Sequence, residues 1–369
     1  MRTKIILLAY LLSVFLASSC KKESTEESQP LKIEVIANHT PFATDKYLRI
    51  CYMLKMWEFR KDKLMLKEII VLDNDTKEEL MTIGEESFGY FISNPPNPIA
   101  FLEQDQISSY YLSVQLPIPL GQPVPSNVLH RFILQDTVSN AQVVVEGGLF
   151  SPRKYESPLA ISSPVKGTNW MFINLSTMGY HYNAVFFVGG QIFSGEQFAF
   201  DNIQLDSAQY SSSGDPLNNQ SYFNYRDTLY AVSDGSVVAL VDGRPENSGN
   251  AKDIVIGSLD EYGGNYLILD LGGQQYALYA HCVPFSFFVK NGDFVKEGQP
   301  LALLGNSGNS TEPHLHFQIC DKPHPFFSMG LPFVIKKYTR IGEFGNLNPS
   351  PPTVITNSMM ENFTLLRFD

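Results

Sequence analysis

Short apolar runs that alternate with polar positions recur along the first half of the chain, and they have the length of strands rather than helices. They are rich in Val, Ile, Leu, Tyr and Phe, which is typical of β-strands. Clusters of Asn, Asp and Pro separate them, as at residues 73–75 and 94–98. This punctuation predicts a β-sandwich-like domain over residues 31–150. The predicted strands lie at residues 31–37, 47–57, 64–72, 110–116, 128–134 and 141–145.

The second half of the chain continues the strand pattern, with glycine-rich turns between neighbouring runs. Residues 151–167 are rich in Pro and Ser and predict a linker, and residues 168–369 predict a second β domain. Gly-Gly and Asp-Gly pairs suit two-residue hairpin turns, which we expect at residues 189–190, 234–235 and 272–273. The predicted fold class is all-β. The predicted strands lie at residues 169–175, 182–188, 191–200, 230–233, 236–240, 265–271, 274–281, 287–290, 300–304, 315–319, 333–335 and 363–368.

The N-terminus has the pattern of an export signal. A basic start is followed by an apolar run over residues 5–16 and by small residues, so residues 1–19 predict a signal peptide. Cys20 directly follows the small residues, which resembles a bacterial lipobox and implies lipidation of Cys20. Residues 20–30 are polar and predict a tether. We therefore expect an exported bacterial lipoprotein in the cell envelope, anchored in the outer membrane or at the cell surface. An ordinary secretory signal cleaved near Ser19 is the alternative.

Charge and cysteine usage narrow the classes of partner. The net charge of -11 argues against nucleic acid, because phosphate backbones are bound mainly by Lys and Arg. Beyond Cys20 the chain has Cys51, Cys282 and Cys320. Strand parity puts Cys282 on the face opposite His281 and Cys320 on the face of His316, which weakens a disulfide between them. We predict that the three cysteines are small buried hydrophobes.

Two histidines at a spacing of two mark the candidate chemistry. Residues 312–317 have the sequence EPHLHF, and alternation along a strand puts His314 and His316 on one face. Asp201 and His281 each end another predicted strand. Zinc accepts nitrogen and oxygen ligands in tetrahedral sites, so Asp201 and His316 are candidate metal ligands. His281 and His314 are then candidates for proton transfer, whereas the two-residue spacing alone also suits a surface strand without a function.

Four segments together carry a resemblance to a known family. They are residues 263–270 (GGNYLILD), 279–281 (YAH), 295–300 (VKEGQP) and 305–317 (GNSGNSTEPHLHF). In order and spacing they resemble the lysostaphin-type (LytM-like) zinc endopeptidases, over about residues 195–333. The resemblance implies a β-sheet core, bound Zn²⁺ and hydrolysis of peptide bonds in peptidoglycan. It also implies that Asp201 and His316 bind zinc, that His314 is the general base and that His281 assists the transition state.

One position departs from the family pattern. The family's HxxxD motif has a zinc-binding His four residues before the Asp, and this chain has Gln197 there. Strand alternation puts Gln197 on the face of Asp201, but an amide oxygen is a poor zinc ligand. His181, on the predicted partner strand, is the third candidate ligand. The simplest hairpin register pairs His181 with Phe198, away from the metal, whereas one bulge would pair it with Ala199 on the metal side. A hairpin histidine without a role is the alternative.

These observations predict a zinc metalloendopeptidase that hydrolyses stem or cross-bridge peptides of peptidoglycan with a metal-activated water. Its partners would be that peptide substrate and, through Cys20, a membrane. The alternative is a catalytically silent relative that binds peptidoglycan peptides or regulates another hydrolase, which Gln197 favours. A further alternative is an adhesive surface lipoprotein in which residues 31–150 bind the ligand.

Overall fold

The computed structural model describes residues 31–57, 64–85, 88, 92–93, 109–173, 181–188, 191–346 and 351–369. The predicted signal peptide, Cys20, the tether and the turns at residues 94–98 and 189–190 lie outside these described residues. The described part is almost entirely β-structure, which confirms the predicted fold class. Three short 3₁₀ turns lie between the strands, and no helix among the described residues is long and apolar enough to cross a membrane.

The strands are β1 (Lys32–Asn38), β2 (Phe42–Ala43), β3 (Tyr47–Trp57), β4 (Leu64–Asp73), β5 (Glu79–Gly84), β6 (Ile92–Ser93), β7 (Ser109–Pro119), β8 (Val128–Asp136), β9 (Gln142–Phe150), β10 (Leu159–Ile161), β11 (Gly167–Ile173), β12 (Phe186–Val188), β13 (Gln191–Phe193), β14 (Phe200–Gln204), β15 (Thr228–Tyr230), β16 (Gly235–Val241), β17 (Asn265–Asp270), β18 (Tyr276–Cys282), β19 (Phe294–Val295), β20 (Pro300–Leu303), β21 (Leu315–Cys320), β22 (Phe333–Glu343), β23 (Thr353–Ser358) and β24 (Thr364–Phe368). The 3₁₀ turns are His181–Asn183, Asn219–Ser221 and Leu259–Glu261.

Two antiparallel sheets make up the N-terminal half. One has the order β1-β3-β7-β6, with β2 on β3, and the other has the order β5-β4-β8-β9. Inward side chains from both sheets, such as Tyr52, Val71 and Phe132, share one apolar cluster. Alternating apolar positions on each strand thus bury one face of each sheet against the other, as in a β-sandwich.

The C-terminal half is organised by one large sheet. Its order is β10-β22-β24-β11-β14-β21-β18-β17-β16-β19, with β23 on β22. Strand β21 lies at the centre and every one of its six residues is buried, because both of its faces are covered. Residues 159–161 of the predicted linker form β10, which joins this sheet in parallel to β22.

The hairpin predictions had mixed outcomes. Residues 272–273 do connect the antiparallel pair β17 and β18. The hairpin predicted at residues 234–235 is wrong, because β15 pairs with β20 while β16 pairs with β17 and β19. Asp234 instead accepts hydrogen bonds from Lys296 Nζ at 2.7 Å and from the Glu297 amide at 2.9 Å. The strand predicted at residues 287–290 is absent, and β5 and β23 were not predicted.

The cysteine prediction is confirmed, because Cys51, Cys282 and Cys320 are all free and buried. Cys51 of β3 and Phe42 of β2 belong to the apolar cluster of the C-terminal half.

Polar contacts tie the two halves together as well. The Arg49 guanidinium pairs with Glu361 at 3.0 Å, Arg340 pairs with Asp45, and the Met359 amide donates to the Ala43 carbonyl at 2.8 Å. The N-terminal sandwich therefore packs closely on the C-terminal half.

Candidate active site

Three neighbouring strands at the centre of the large sheet carry most of the candidate residues. In the pairing of β14 with β21, Asp201 lies opposite His316, and in the pairing of β18 with β21, Ala280 lies opposite His316. Cross-strand partners point to the same face of a sheet. Asp201 and His316 therefore meet, and His316 Nδ1 lies 3.0 Å from Asp201 Oδ1.

His281 reaches the same face by a local change in backbone. Its neighbour Ala280 already faces the site, so simple alternation would turn His281 away. His281 has φ +64°, a left-handed conformation that is uncommon for residues other than glycine. Its amide donates to the Gly263 carbonyl at 2.9 Å, and its Nδ1 donates to the Ser307 carbonyl at 2.7 Å. These bonds offset the backbone strain and place the ring centroid 4.7 Å from that of His314.

The carboxylate of Asp201 is the centre of the cluster. His314 Nε2 lies 3.5 Å from Oδ1, and His181 Nε2 lies 3.5 Å from Oδ2. The side chains of His181 and Asp201 are each 12% exposed, so the site is shielded without being closed. The structure thus brings together all five predicted residues, including His181, around one carboxylate.

His181 reaches the site by neither of the two registers considered from sequence. It is the first residue of the 3₁₀ turn His181–Asn183, ahead of the short hairpin of β12 and β13. In that hairpin Phe186 pairs with Phe193, so His181 lies outside the paired region and has no strand partner. The prediction of one strand over residues 182–188 is wrong for residues 182–185, because the turn occupies the start of this segment.

The predicted orientation of Gln197 is also wrong. The strand predicted over residues 191–200 is interrupted by a turn at residues 195–198, so the alternation that put Gln197 beside Asp201 does not apply. The Gln197 side chain is fully buried, and its Oε1 accepts a hydrogen bond from His39 Nε2 at 2.8 Å. It does not line the groove around the histidines.

Supporting residues that the sequence analysis missed fix the ring orientations. Gln318 Oε1 accepts from His316 Nε2 at 3.0 Å, which leaves Nδ1 facing Asp201. The Glu312 carbonyl lies 2.8 Å from His314 Nδ1 and the Ser307 carbonyl holds His281 Nδ1. Gln318 could have been found from sequence, because it lies two residues after His316 on the same strand face. The two carbonyl acceptors leave no sequence signal.

Burial and mutual charge shift the pKa of each group. Burial opposes ionisation of Asp201, but the neighbouring histidines outweigh it and hold its pKa well below the ordinary value. Burial also opposes protonation of His316, yet the Asp201 carboxylate raises its pKa to about 9, and that of His314 is likewise raised. Burial lowers the pKa of His181 despite Asp201. Burial and the neighbouring His314 and His316 hold the pKa of His281 well below its ordinary value.

His181, Asp201 and His316 fit a metal ion as a set. Their candidate ligand atoms all lie within 4.8 Å of one another. A tetrahedral zinc ion with ligand bonds of about 2.1 Å separates its ligand atoms by roughly 3.4 Å. His316 Nδ1 lies 3.0 Å from Asp201 Oδ1 and His181 Nε2 lies 3.5 Å from Oδ2, so each imidazole is close to that distance from one oxygen of the carboxylate. Two imidazoles and one carboxylate also leave a fourth position open, as catalytic zinc sites do.

A groove of about 490 Å³ opens over this cluster. Its walls include aromatic rings of Phe186, Tyr262 and Phe326, which offer flat apolar contacts. Lys252 and Glu196 add one charge of each sign. The groove can accept an extended chain that has both apolar and charged groups.

Comparisons with known proteins agree with the resemblance found in the sequence. The sequence profile of Peptidase family M23 matches residues 224–326. The peptidoglycan DD-endopeptidase ShyB of Vibrio cholerae is 30% identical over 123 residues, 31% of this chain and 28% of ShyB. Lysostaphin of Staphylococcus simulans is 37% identical over 78 residues, 21% of this chain and 15% of lysostaphin. The chain thus spans less than a third of the length of these relatives.

A solved structure also matches. The catalytic domain of lysostaphin from Staphylococcus simulans is 25% identical to this chain, covers 33% of it and 85% of its own length, and has a TM-score of 0.22. His314 and His316, His281 and the loop around Ser307 all fall inside the profile match, whereas His181 and Asp201 precede it. Residues 224–326, within the C-terminal half, therefore carry a Peptidase family M23 domain that is homologous to lysostaphin.

Proposed function

We propose that the protein is a zinc-dependent endopeptidase that hydrolyses peptide bonds of peptidoglycan. The observation that carries the proposal is the cluster of His181, Asp201 and His316 beside two further histidines in an open groove. The relatives named above support the substrate class, because ShyB is a peptidoglycan DD-endopeptidase.

His181, Asp201 and His316 would hold the metal. Zinc bound there would act as a Lewis acid that polarises a carbonyl group and acidifies water. Gln318 keeps the proton of His316 on Nε2, so Nδ1 is available as a ligand. The negative charge of Asp201 makes binding of a cation more favourable than it would be in a cluster of histidines alone.

His314 is the proposed general base. Its Nδ1 donates to the Glu312 carbonyl, which leaves Nε2 to accept the proton of an attacking water. The same nitrogen can return that proton to the leaving amine. The ring is buried beside Asp201, so its orientation is fixed before the substrate binds.

His281 is proposed to assist the developing oxyanion. Its Nδ1 already donates to Ser307, so Nε2 can donate only after it gains a proton. Its lowered pKa makes the resting ring neutral. We therefore propose that Nε2 of His281 would donate to the oxyanion only with the proton that the water releases, passed on from His314 and returned to it for the leaving amine.

The experiment combines metal content with digestion of purified peptidoglycan, analysed by mass spectrometry. The wild-type chain should bind one zinc ion and release peptide fragments. His314→Ala should keep the zinc and lose the hydrolysis, whereas His316→Ala should lose both. Undiminished digestion by His314→Ala would reject its role as the base.

The silent binding protein is the second candidate, and the same experiment tests it. Its sequence support was Gln197 at a ligand position, and His181 beside Asp201 weakens that support. Zinc-free wild-type protein that binds peptidoglycan peptides without cleaving them would establish the silent candidate instead.

A further inference from the structure

The segment that carries His181 lies outside the large sheet. The 3₁₀ turn His181–Asn183 leads into β12, and β12 pairs with β13 in a two-stranded hairpin that is joined to the C-terminal half at Ser194, which bridges Met329. Backbone hydrogen bonds of the large sheet therefore do not fix the position of His181. Contacts of side chains must do so instead.

Phe186 and Phe193 of the hairpin pack on Phe326 and Phe327 of the C-terminal half, and the remaining contacts come from the N-terminal sandwich. Tyr182, next to His181, is 1% exposed, and its hydroxyl donates to the Val114 carbonyl of β7 at 2.6 Å. Burial raises the pKa of Tyr182 well above its ordinary value, so the phenol stays a hydrogen-bond donor. Successive side chains of a 3₁₀ turn diverge by about 120°. Anchoring Tyr182 on the sandwich therefore fixes the direction in which His181 points.

Apolar packing holds the rest of the hairpin on the same surface. Val185, which precedes β12, and Ile192 of β13 pack against the fully buried Met53 and Tyr111 of the sandwich. Both sides of the hairpin thus rest on the sheet that contains β3 and β7. A hairpin of two three-residue strands would not keep one conformation without such support.

A second contact from the sandwich reaches the turn that precedes Asp201. His39 donates to Gln197 at 2.8 Å, and its ring meets Phe198 edge-on with centroids 4.9 Å apart. The turn at residues 195–198 leads directly into β14, which carries Asp201. The N-terminal half therefore makes contacts next to two of the three candidate ligands, His181 and Asp201.

We propose that the N-terminal sandwich helps to form the metal site and that Tyr182 is the positioning residue that holds His181 for zinc. This inference rests on the proposed zinc site. It assigns residues 31–150 a role within the catalytic unit. It also explains how the chain dispenses with a histidine at position 197, because the replacing ligand is supported from another domain.

The test is the zinc affinity of Tyr182→Phe in the full chain, measured by competition with a chromophoric chelator. The variant removes the hydroxyl and keeps the ring. Tyr52→Phe is the matched control: Tyr52 pairs with Val114 across the strands, but its buried hydroxyl bonds His130 at 2.8 Å inside the sandwich rather than the hairpin. Loss of a hydrogen-bond partner of a metal ligand typically lowers metal affinity by about 10- to 100-fold, and the lower figure of about tenfold suits Tyr182, which acts through the neighbouring His181. We expect that loss in Tyr182→Phe and none in Tyr52→Phe.

Thermal unfolding without zinc separates positioning from folding, since both variants should lose similar stability. If Tyr182→Phe does not fold, Ile192→Ala tests the same support from the other strand and should lower zinc affinity several-fold. A zinc affinity equal to wild type in the folded variant would overturn the inference and leave the proposed function intact. A wild-type chain that does not bind zinc would overturn both. Turnover restored by saturating zinc in Tyr182→Phe would support positioning over a direct chemical role.

Discussion

The two sides of the candidate metal site are built by different means. Asp201 and His316 lie opposite each other on paired strands inside the large sheet. His181 lies in a three-residue turn outside the sheet, and the neighbouring Tyr182 anchors this turn on the sandwich. The sheet side has its geometry fixed by a ladder of backbone hydrogen bonds, and its residues follow a period of two. The turn side has no such ladder, so its geometry depends on a distant part of the sequence.

This difference separates what a strand pattern can reveal from what packing must supply. A ligand on a buried strand points to the same face as its cross-strand partners. Strand pairing therefore fixes its direction in any sequence that forms that sheet. A ligand on a turn faces the site only when a surface holds the turn in one orientation. The predictions below perturb one side at a time.

The largest effect is expected for substitution of His181, the candidate ligand in the 3₁₀ turn. His181→Ala should lower zinc affinity by more than about 100-fold, beyond the loss expected for an outer contact. Gln197→Ala is the control at the family's usual ligand position, and its zinc affinity should stay within about tenfold of wild type. Zinc content after dialysis against a chelator measures both. Equal losses in the two variants would mean that Gln197 reaches the metal, against its bond to His39.

Acid should lower the stability of the N-terminal sandwich, which supports the turn that carries His181. Burial of His130 outweighs its bond to the Gly148 carbonyl and lowers its pKa to about 4. In the unfolded chain His130 takes up its proton at about pH 6.5. Its contribution to the free energy of unfolding is therefore complete above that pH and is lost as the pH falls toward 4. The loss is about 3 kcal/mol at most, from about 1.4 kcal/mol per pKa unit. Urea unfolding at pH 7 and pH 4 measures it.

His130→Gln provides the control for the acid effect. It removes the titrating group, so its free energy of unfolding should be lower at pH 7 and should depend less on pH. An unchanged pH dependence would assign the acid effect to another group. His39, whose burial also lowers its pKa to about 4, is the next group to test.

A substitution in the loop that holds His281 should strain the backbone on the sheet side of the site. Gly308 has φ +77°, and an added Cβ would lie 2.3 Å from the Gly264 nitrogen. Gly308→Ala should therefore cost roughly 2 kcal/mol of stability and displace the neighbouring Ser307 carbonyl. Gly298→Ala is the control, since its φ is +76° with nothing within 4 Å of the added atom. Chemical denaturation compares them, and equal costs would show that the left-handed backbone alone is responsible.

The smallest effect is expected at Gln318. Gln318→Leu removes the acceptor for His316 Nε2 and should lower zinc affinity by about tenfold. Gln318→Glu keeps an acceptor at the same place and should recover most of that loss. Chelator competition distinguishes the three proteins. A Leu variant with wild-type affinity would show that the sheet fixes His316 without its side-chain partner.

Much of the fold and the five residues of the site could be predicted from the sequence, whereas the backbone conformations that place His181, Gln197 and His281 could not. Strand β3 was predicted at its observed bounds, and β17 and β18 were predicted as a hairpin, because buried alternation and a Gly-Gly turn are local properties. The Asp234-Gly235 turn misled the prediction, since its flanking strands pair elsewhere in the fold. A turn signal states that the chain bends and does not state which strands pair.

The sequence by itself determined the all-β class, the peptidase M23 match of residues 224–326, and the common face of His314 and His316. These follow from strand period and from motif spacing along a continuous chain. The tertiary structure alone decided the rest of the site: the left-handed backbone that turns His281 inward, the turn that removes Gln197, and the sandwich contacts of Tyr182 that hold His181. The physical reason is that strand period acts between neighbouring residues, whereas these three features depend on contacts between distant segments that no local pattern records.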